Sequence, residues 1–181
     1  GSGSSSSSAS AYANNKFATG FAHTCAILDN GDLKCWGEDA KGQLGDGGTI
    51  TSNAHTSAPS STAIDLGTGR TAVAVDTGDY HTCAILDNGD MKCWGGDGLG
   101  QLGNGAIAGD QPSPPSTAID LGTGRTAVAL SSGWQHTCAI LDNGDLKCWG
   151  YGGYGNLGYG STSSLNAPSS TAIDLGTSRT A

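Results

Sequence analysis

From His23 the chain alternates with a period of two. His23, Cys25 and Ile27 fall on one side of an extended segment, and Thr24, Ala26 and Leu28 fall on the other. Asp29-Asn30-Gly31-Asp32 interrupts the alternation and Leu33 to Gly37 resumes it, which predicts an antiparallel hairpin. The same stretch, His23 to Gly37, returns at His81 with Met91 replacing a leucine, and at His136 unchanged. A second block, Ser-Thr-Ala-Ile-Asp-Leu-Gly-Thr, starts at Ser61, Ser116 and Ser170. The hairpin block recurs after 58 and then 55 residues, so the chain is a tandem array of small units that hide their apolar faces by stacking on neighbours.

Nothing in a repeat follows the helical period. A glycine-dense loop follows each hairpin, and prolines (Pro59, Pro114-Pro115, Pro168) lead into Thr-Ala-Ile-Asp-Leu, which reads as a strand. After the turn Gly-Thr-Gly-Arg-Thr, Ala72 to Val75 and Ala127 to Leu130 supply a further apolar strand. Four short strands per unit is the content of a propeller blade. The predicted fold is therefore all-β, with propeller-type blades of four antiparallel strands, three repeats, and a ring left incomplete within this chain. The segments are 1–11, rich in Ser and Gly; 12–75, repeat 1; 76–130, repeat 2; and 131–181, repeat 3. Repeat 3 stops at Arg179-Thr180-Ala181, where its predecessors go on with Val73-Ala74-Val75 and Val128-Ala129-Leu130, so it lacks its closing strand. Asn15, Lys16 and Phe17 align with Val73 to Val75. Asn15 to Phe17 and Arg179 to Ala181 are thus the expected assembly residues, by which copies complete each other head to tail.

Composition narrows the function. Among 181 residues, hydrophobics make up 36% and charged residues 13%, with 31 glycines, which marks a turn-rich chain. A net charge of -8, with eight Lys and Arg spread along the length, supplies no basic stripe for a phosphate backbone, so nucleic acid is not an expected partner. No apolar run reaches the ~18 residues of a membrane span. The chain begins without Met, as a processed or tagged product does. Residues 1–11 are too poor in apolar area to fold alone, and they are expected to lie against another chain or to carry O-linked sugar on Ser4, Ser5, Ser6, Ser7 and Ser8.

All six cysteines sit in the hairpin block. A two-residue turn at Asn30-Gly31 would set Cys25 opposite Trp36 and forbid a bridge. A three-residue loop, Asp29-Asn30-Gly31 with Gly31 left-handed, sets Cys25 opposite Cys35 at a non-hydrogen-bonded site, where Cα atoms approach to about 4.5 Å. The expected disulfides are Cys25–Cys35, Cys83–Cys93 and Cys138–Cys148, each adding roughly 2 to 3 kcal/mol for such short loops. Persistent disulfides imply an extracellular or cell-surface setting. Metal binding by His23, Cys25 and Cys35 is the rival reading, but the gap between the cysteines is too wide for a zinc pair. The Asp-Asn-Gly-Asp clusters serve as turns and lack the further ligands of a calcium loop. No metal or cofactor is expected.

A catalytic site repeated in every unit would appear three times, so catalysis needs a residue out of pattern. His23, His81 and His136 each start a strand, where a structural hydrogen bond across the blade is the expected role; His55 lies in a polar loop; no serine occupies a nucleophile elbow. No catalytic residue is expected. Trp36, Trp94 and Trp149 are placed identically, which favours packing between blades.

The hairpin block, followed by Gly42-Gln43-Leu44-Gly45-Asp46-Gly47, resembles the regulator-of-chromosome-condensation repeat in its bacterial, cysteine-bearing form. The second repeat keeps Gly100-Gln101-Leu102-Gly103, and the third has Gly155-Asn156-Leu157-Gly158. The resemblance covers residues 12 to 181 and implies a propeller with one four-stranded blade per repeat, in a family that usually closes a ring of about seven. That family's nucleotide exchange on a small GTPase would need a wedge and a basic face that the sequence does not show. Plant ultraviolet receptors of the family use Gly-Trp-Arg-His-Thr motifs; Gly133-Trp134-Gln135-His136-Thr137 is similar but occurs once, with Gln for Arg.

The expectation for function is a non-catalytic extracellular structural or assembly protein, a filament or surface-polymer subunit whose partners are other copies of itself. The alternative is a protein-binding module from a longer secreted propeller, gripping another protein through the loops Glu38 to Lys41, Ile107 to Gln111 and Tyr151 to Tyr154.

Overall fold

The computed structural model describes residues 15–107, 109–176 and 180–181. Ser4 to Ser8 and Arg179, expected to carry sugar or to join copies, lie outside the described residues, as does Ala108. The described residues contain no helix, and they form three antiparallel sheets. The first runs in the order β1 (Phe17–Thr19), β2 (His23–Ile27), β3 (Leu33–Glu38), β4 (His55–Thr56). The second holds β5 (Ala72–Thr77), β6 (His81–Leu86) and β7 (Met91–Gly95); the third holds β8 (Ala127–Ser132), β9 (His136–Leu141) and β10 (Leu146–Gly150).

The hairpin turn sets the register of every blade. Leu28 N–H donates to the Asp32 carbonyl at 2.8 Å across the three-residue loop, Gly31 takes φ 85°, and Cys25 pairs with Cys35 at a Cα separation of 4.1 Å. The same pairing joins Cys83 to Cys93 and Cys138 to Cys148, so all six cysteines are in disulfides. Asn30 accepts from the Asp32 N–H and donates to its carboxylate, and Asn88 with Asp90 and Asn143 with Asp145 repeat this bracket. The acidic cluster is consumed by its own turn, and among the described residues no group of three His, Cys, Asp or Glu is gathered for a metal.

Two expectations need correction. Thr62 to Leu66 forms no strand; the fourth strand comes from the end of the glycine-dense loop, as β4 in the first sheet and as the single bridges Gly95–Gln111 and Gly150–Leu165 in the others. The Thr-Ala-Ile-Asp-Leu segment is held by a lone backbone bond from Ile64 N–H to the Leu33 carbonyl and by the buried Lys92 ammonium, which donates to the Leu66 carbonyl at 3.0 Å. A segment pinned by side chains offers no ladder for a strand. Second, Ala72–Thr77 pairs with β6 and opens the second sheet; it does not close the first. Boundaries at 75/76 and 130/131 therefore cut β5 and β8, and the third sheet holds the same strands as the second.

The core lies between the sheets. Cys25, Ile27, Leu33, Cys35 and Leu44 of the first blade pack with Leu66 against Val75, Ala84, Leu86 and Trp94 of the second. Cys83, Ile85, Met91, Cys93 and Leu102 of the second blade repeat the contact against Leu130, Ala139, Leu141 and Trp149 of the third. Each blade thus presents a cystine-bearing back face to the tryptophan-bearing front face of the next.

The second glycine of Gly-Gln-Leu-Gly tests this packing. Gly45 and Gly47 have nearly the same φ, 73° and 75°, but a Cβ on Gly45 would stand 2.4 Å from Trp94 Nε1, whereas one on Gly47 meets nothing within 4 Å. Both alanine variants bear the left-handed strain of about 1 to 2 kcal/mol, and overpacking adds about 1 to 3 more at Gly45 alone. Urea unfolding should therefore show Gly45→Ala destabilised by clearly more than Gly47→Ala; equal losses would contradict the packing.

Candidate functional site

The three histidines lie where strands begin, and each of the first two reaches into the next blade. His23 Nε2 is 2.9 Å from Thr82 Oγ1, and His81 Nε2 is 3.0 Å from Thr137 Oγ1. The threonine hydroxyls donate onward to the backbone carbonyls of Gln43 at 2.8 Å and Gln101 at 3.0 Å. Each threonine must then accept, so the imidazole carries its proton on Nε2, and bare Nδ1 is buried with no hydrogen-bond partner among the described residues in His23 and His81. The expected structural bond exists, but it joins two blades and does not cross one. The imidazoles also explain a glycine in each repeat: a Cβ on Gly20, Gly78 or Gly133 would lie within 2.5 Å of the ring of His23, His81 or His136.

The same glutamine carbonyls receive the indoles. Trp94 Nε1–H donates to Gln43 O at 3.1 Å, and Trp149 Nε1–H donates to Gln101 O at 3.1 Å. Both tryptophans are 0% exposed. The glutamine side chains turn back to cap their own loops: Gln43 Oε1 accepts from Lys41 N–H, and Gln101 Oε1 accepts from Leu99 N–H. Gly-Gln-Leu-Gly is therefore a socket, with a loop cap, a doubly used carbonyl, a core leucine and a clearance for the indole.

Burial drives the imidazoles far below their usual pKa, to about 4 for His23 and about 3 for His81, where the neighbouring histidines add to the effect; His136 is lowered in the same direction. His23 and His81 are therefore neutral at pH 7. Burial raises Asp39 and Asp76, against bonds from Leu44 N–H to Asp39 and from Ser132 N–H and Thr77 N–H to Asp76.

The outermost faces carry the same residues without their cover. On the front of the first blade, Phe17 is 69% exposed and Leu28 40%, where their counterparts Val75 and Leu86 are fully buried; Trp36 is half-buried. Lys34, whose counterparts Lys92 and Lys147 are buried on the carbonyls of Leu66 and Leu121, instead holds the carbonyls of Ser60 and Ser61 at an exposed site. On the back of the third blade, Cys138, Ile140 and Leu146 are half-buried, with a cavity of about 110 Å³ beside them, and Leu175 is 43% exposed against 4% for Leu66 and 3% for Leu121.

The expected assembly residues are placed as follows. Lys16 O accepts from Ile27 N–H and Phe17 opens β1 opposite Ala26, so these two lie along the inner edge of their own sheet, whereas Asn15 O accepts from Val75 N–H in β5 of the second sheet. Thr180 rests on Gly144 and Ala181 N–H donates to Gly144 O, as Thr71 and Ala72 do at Gly31. The first and last repeats are near copies of the middle one and carry no polar caps, so uncovered outer faces were to be expected from the sequence; which side chains stand open on them was not. Sequence reasoning missed a rim of aromatics at the loop end. Phe21 stands 6.0 Å from Tyr80, and Tyr151 lies edge-on to both Trp134 and Tyr154. Of the gripping loops, Lys41 and Asp110 pair with each other at 3.0 Å, which ties two of them together.

Regulator of chromosome condensation (RCC1) repeats match residues 15–43, 72–101 and 127–156, and a second description of that repeat matches 30–85. The chain belongs to the RCC1-repeat family. It is 40% identical over 82 residues to the ultraviolet-B receptor UVR8 of Arabidopsis thaliana, covering 44% of this chain and 18% of that protein. It is 30% identical over 148 residues to the human E3 ubiquitin-protein ligase HERC2, covering 81% of this chain and 3% of that protein. Among solved structures, yeast Prp20p, described with binding properties to Gsp1p and histones, superposes with a TM-score of 0.74 at 21% identity over 87% of this chain and 37% of its own, a likeness of fold. The chain spans a minor part of each. In this chain the Trp-Gly of one RCC1 repeat and the Gly-Gln-Leu-Gly of the repeat before it meet across a blade boundary. No helix among the described residues is long and apolar enough to cross a membrane.

The buried neutral histidines give a signed pH dependence. A histidine whose folded pKa lies below 6.5 binds fewer protons in the native than in the unfolded chain, so stability is complete above about pH 6.5 and is lost as pH falls toward 4. Each such group contributes a slope of up to about 1.4 kcal/mol per pH unit, while raised Asp39 and Asp76 act in the opposite sense at the acid end. Denaturant midpoints measured from pH 7.5 to 4.5 should fall steadily; a flat profile would contradict the assignment.

Proposed function

We propose that this protein is a non-catalytic, extracellular or cell-surface assembly protein, a filament or surface-polymer subunit whose copies associate head to tail. The observation that carries the reading is the pair of uncovered faces. Among the described residues the back faces of the first and second blades are covered by the front faces of the second and third, and the two faces left over are one of each kind. Burying a side chain the size of Phe, Leu or Ile is worth about 1.5 to 3 kcal/mol, so Phe17, Leu28, Ile140 and Leu175 together favour association. Three disulfides support a setting outside the reducing cytosol. The structural use of His23 and His81, each bonded to a threonine of the next blade, supports the absence of catalysis.

A second reading, a protein-binding module within a longer secreted propeller, is favoured by the aromatic rim. Phe21, Trp134 and Tyr154 are exposed large side chains on the end that also bears the glycine-dense loops, and aromatics of this kind anchor protein interfaces. In that case the uncovered faces are met by further blades of the same chain.

Light scattering of the 181-residue chain across a wide concentration range separates the two. Head-to-tail assembly gives a mean mass that climbs with concentration without a fixed stoichiometry. A mass constant at one chain would refute the first reading and leave the second. Intact-mass analysis without reductant should also place the chain six hydrogens below its reduced mass.

A further inference from the structure

We infer that the joint between copies is a third instance of the internal blade boundary, in which the front face of one copy's first sheet stacks on the back face of another copy's third sheet. This rests on the assembly reading and specifies its contact, which is stacking of faces and not addition of strands. Every sheet already holds its own inner strand, since β1, β5 and β8 are each paired within their blades. What is unmet is the covering of faces.

The third repeat keeps the backbone of the socket without an indole in it. In the first two repeats the socket glycines touch the following blade: Gly42 meets Pro112 and Gly100 meets Asn166, while Gly45 and Gly103 clear Trp94 and Trp149. Their counterpart Gly155 holds the same left-handed φ, 72°, and a Cβ there meets nothing within 4 Å among the described residues; a Cβ on Gly158 would meet the Ile173 side chain at 3.1 Å, so Ile173 lies at the indole's place and turns aside when the joint forms. Asn156 takes the place of glutamine, with its side chain turned back to donate to the Tyr151 carbonyl, so its loop too is capped by its own amide. On the other face, Thr24 and Trp36 hold the positions of Thr82 with Trp94 and of Thr137 with Trp149 in the hairpin register.

Laying the internal boundary over these faces assigns each contact. Trp36 Nε1–H and Thr24 Oγ1–H of one copy donate to the Asn156 carbonyl of the other. His136 Nε2–H donates to Thr24 Oγ1, completing the run that His23 and His81 begin. Lys34 leaves Ser60 and Ser61 for the Leu175 carbonyl, as Lys92 holds Leu66 and Lys147 holds Leu121. The joint is heterologous: after every addition the assembly as a whole keeps one free front face and one free back face, so copies add with a fixed polarity until the curvature of the blades closes a ring or carries them past one another.

The test uses full-length variants blocked on one side. Trp36→Arg, with Leu28→Lys as a second choice, blocks the front. Leu175→Lys, which opposes Lys34 across the joint, with Ile140→Lys as a second choice, blocks the back. Retained disulfides and a cooperative melt show that each variant is folded. Each alone should lose assembly in sedimentation velocity, and an equimolar mixture of a front-blocked and a back-blocked variant should give a species of two chains that grows no further. Wild-type assembly unaffected by either block would overturn this joint while leaving the assembly reading standing. Blocked variants whose mixture stays at one chain would overturn its head-to-tail polarity. A wild-type chain that never associates would defeat the assembly reading itself.

Discussion

The fold depends on one junction, the backbone carbonyl of a loop glutamine that receives both the indole and the threonine hydroxyl of the next blade. Around Gln43 and Gln101 the polar atoms satisfy one another at a place sealed from water, and the apolar cystine faces close on the tryptophan faces outside it. A buried carbonyl without donors would cost about 1 to 3 kcal/mol, so the junction admits little variation in the residues that reach it. The glycines follow from the same demand: Gly45 and Gly103 clear the indole, and Gly20, Gly78 and Gly133 clear the imidazole.

The disulfides belong to this junction as much as to their hairpins. Each spans a ten-residue separation and constrains the unfolded chain modestly. Their sulfurs sit in the boundary, with Cys25 Sγ 3.9 Å from Thr82 Oγ1 and Cys83 Sγ 3.8 Å from Thr137 Oγ1. In a chain with 36% hydrophobic residues, a cystine on each back face supplies apolar volume where long side chains are scarce. Arg70 with Asp87 and Arg125 with Asp142 then fasten each linker to the hairpin turn that follows it, at partly exposed sites where such pairs contribute little.

Some of this was legible in the residues and some was not. The three-residue turn, the left-handed Gly31 and the cysteine register follow from local sterics and the period-two pattern, which act over a dozen residues. The identity of Trp36, Trp94 and Trp149 pointed to blade packing for the same reason. The fourth strand was misplaced because Ile64 and Leu66 have the apolar alternation of a strand, yet their backbone is held by a lysine from another blade. The histidine bond was placed within a blade because a sequence shows that a histidine recurs but not which neighbour it faces. The phase of the repeat was likewise open: Ala72 to Val75 follows one unit and precedes another, and only pairing with β6 decides its sheet.

The sequence by itself determined the repeat, the all-β class, the hairpins and their cystines, because these rest on spacing between residues near one another along the chain. The tertiary structure decided which faces meet, where the carbonyl of Gln43 points, and that Phe17, Trp36, Ile140 and Leu175 stand without the cover their counterparts have. Those are properties of contacts between residues about fifty apart, and identical repeats acquire different environments according to whether a neighbour lies beside them.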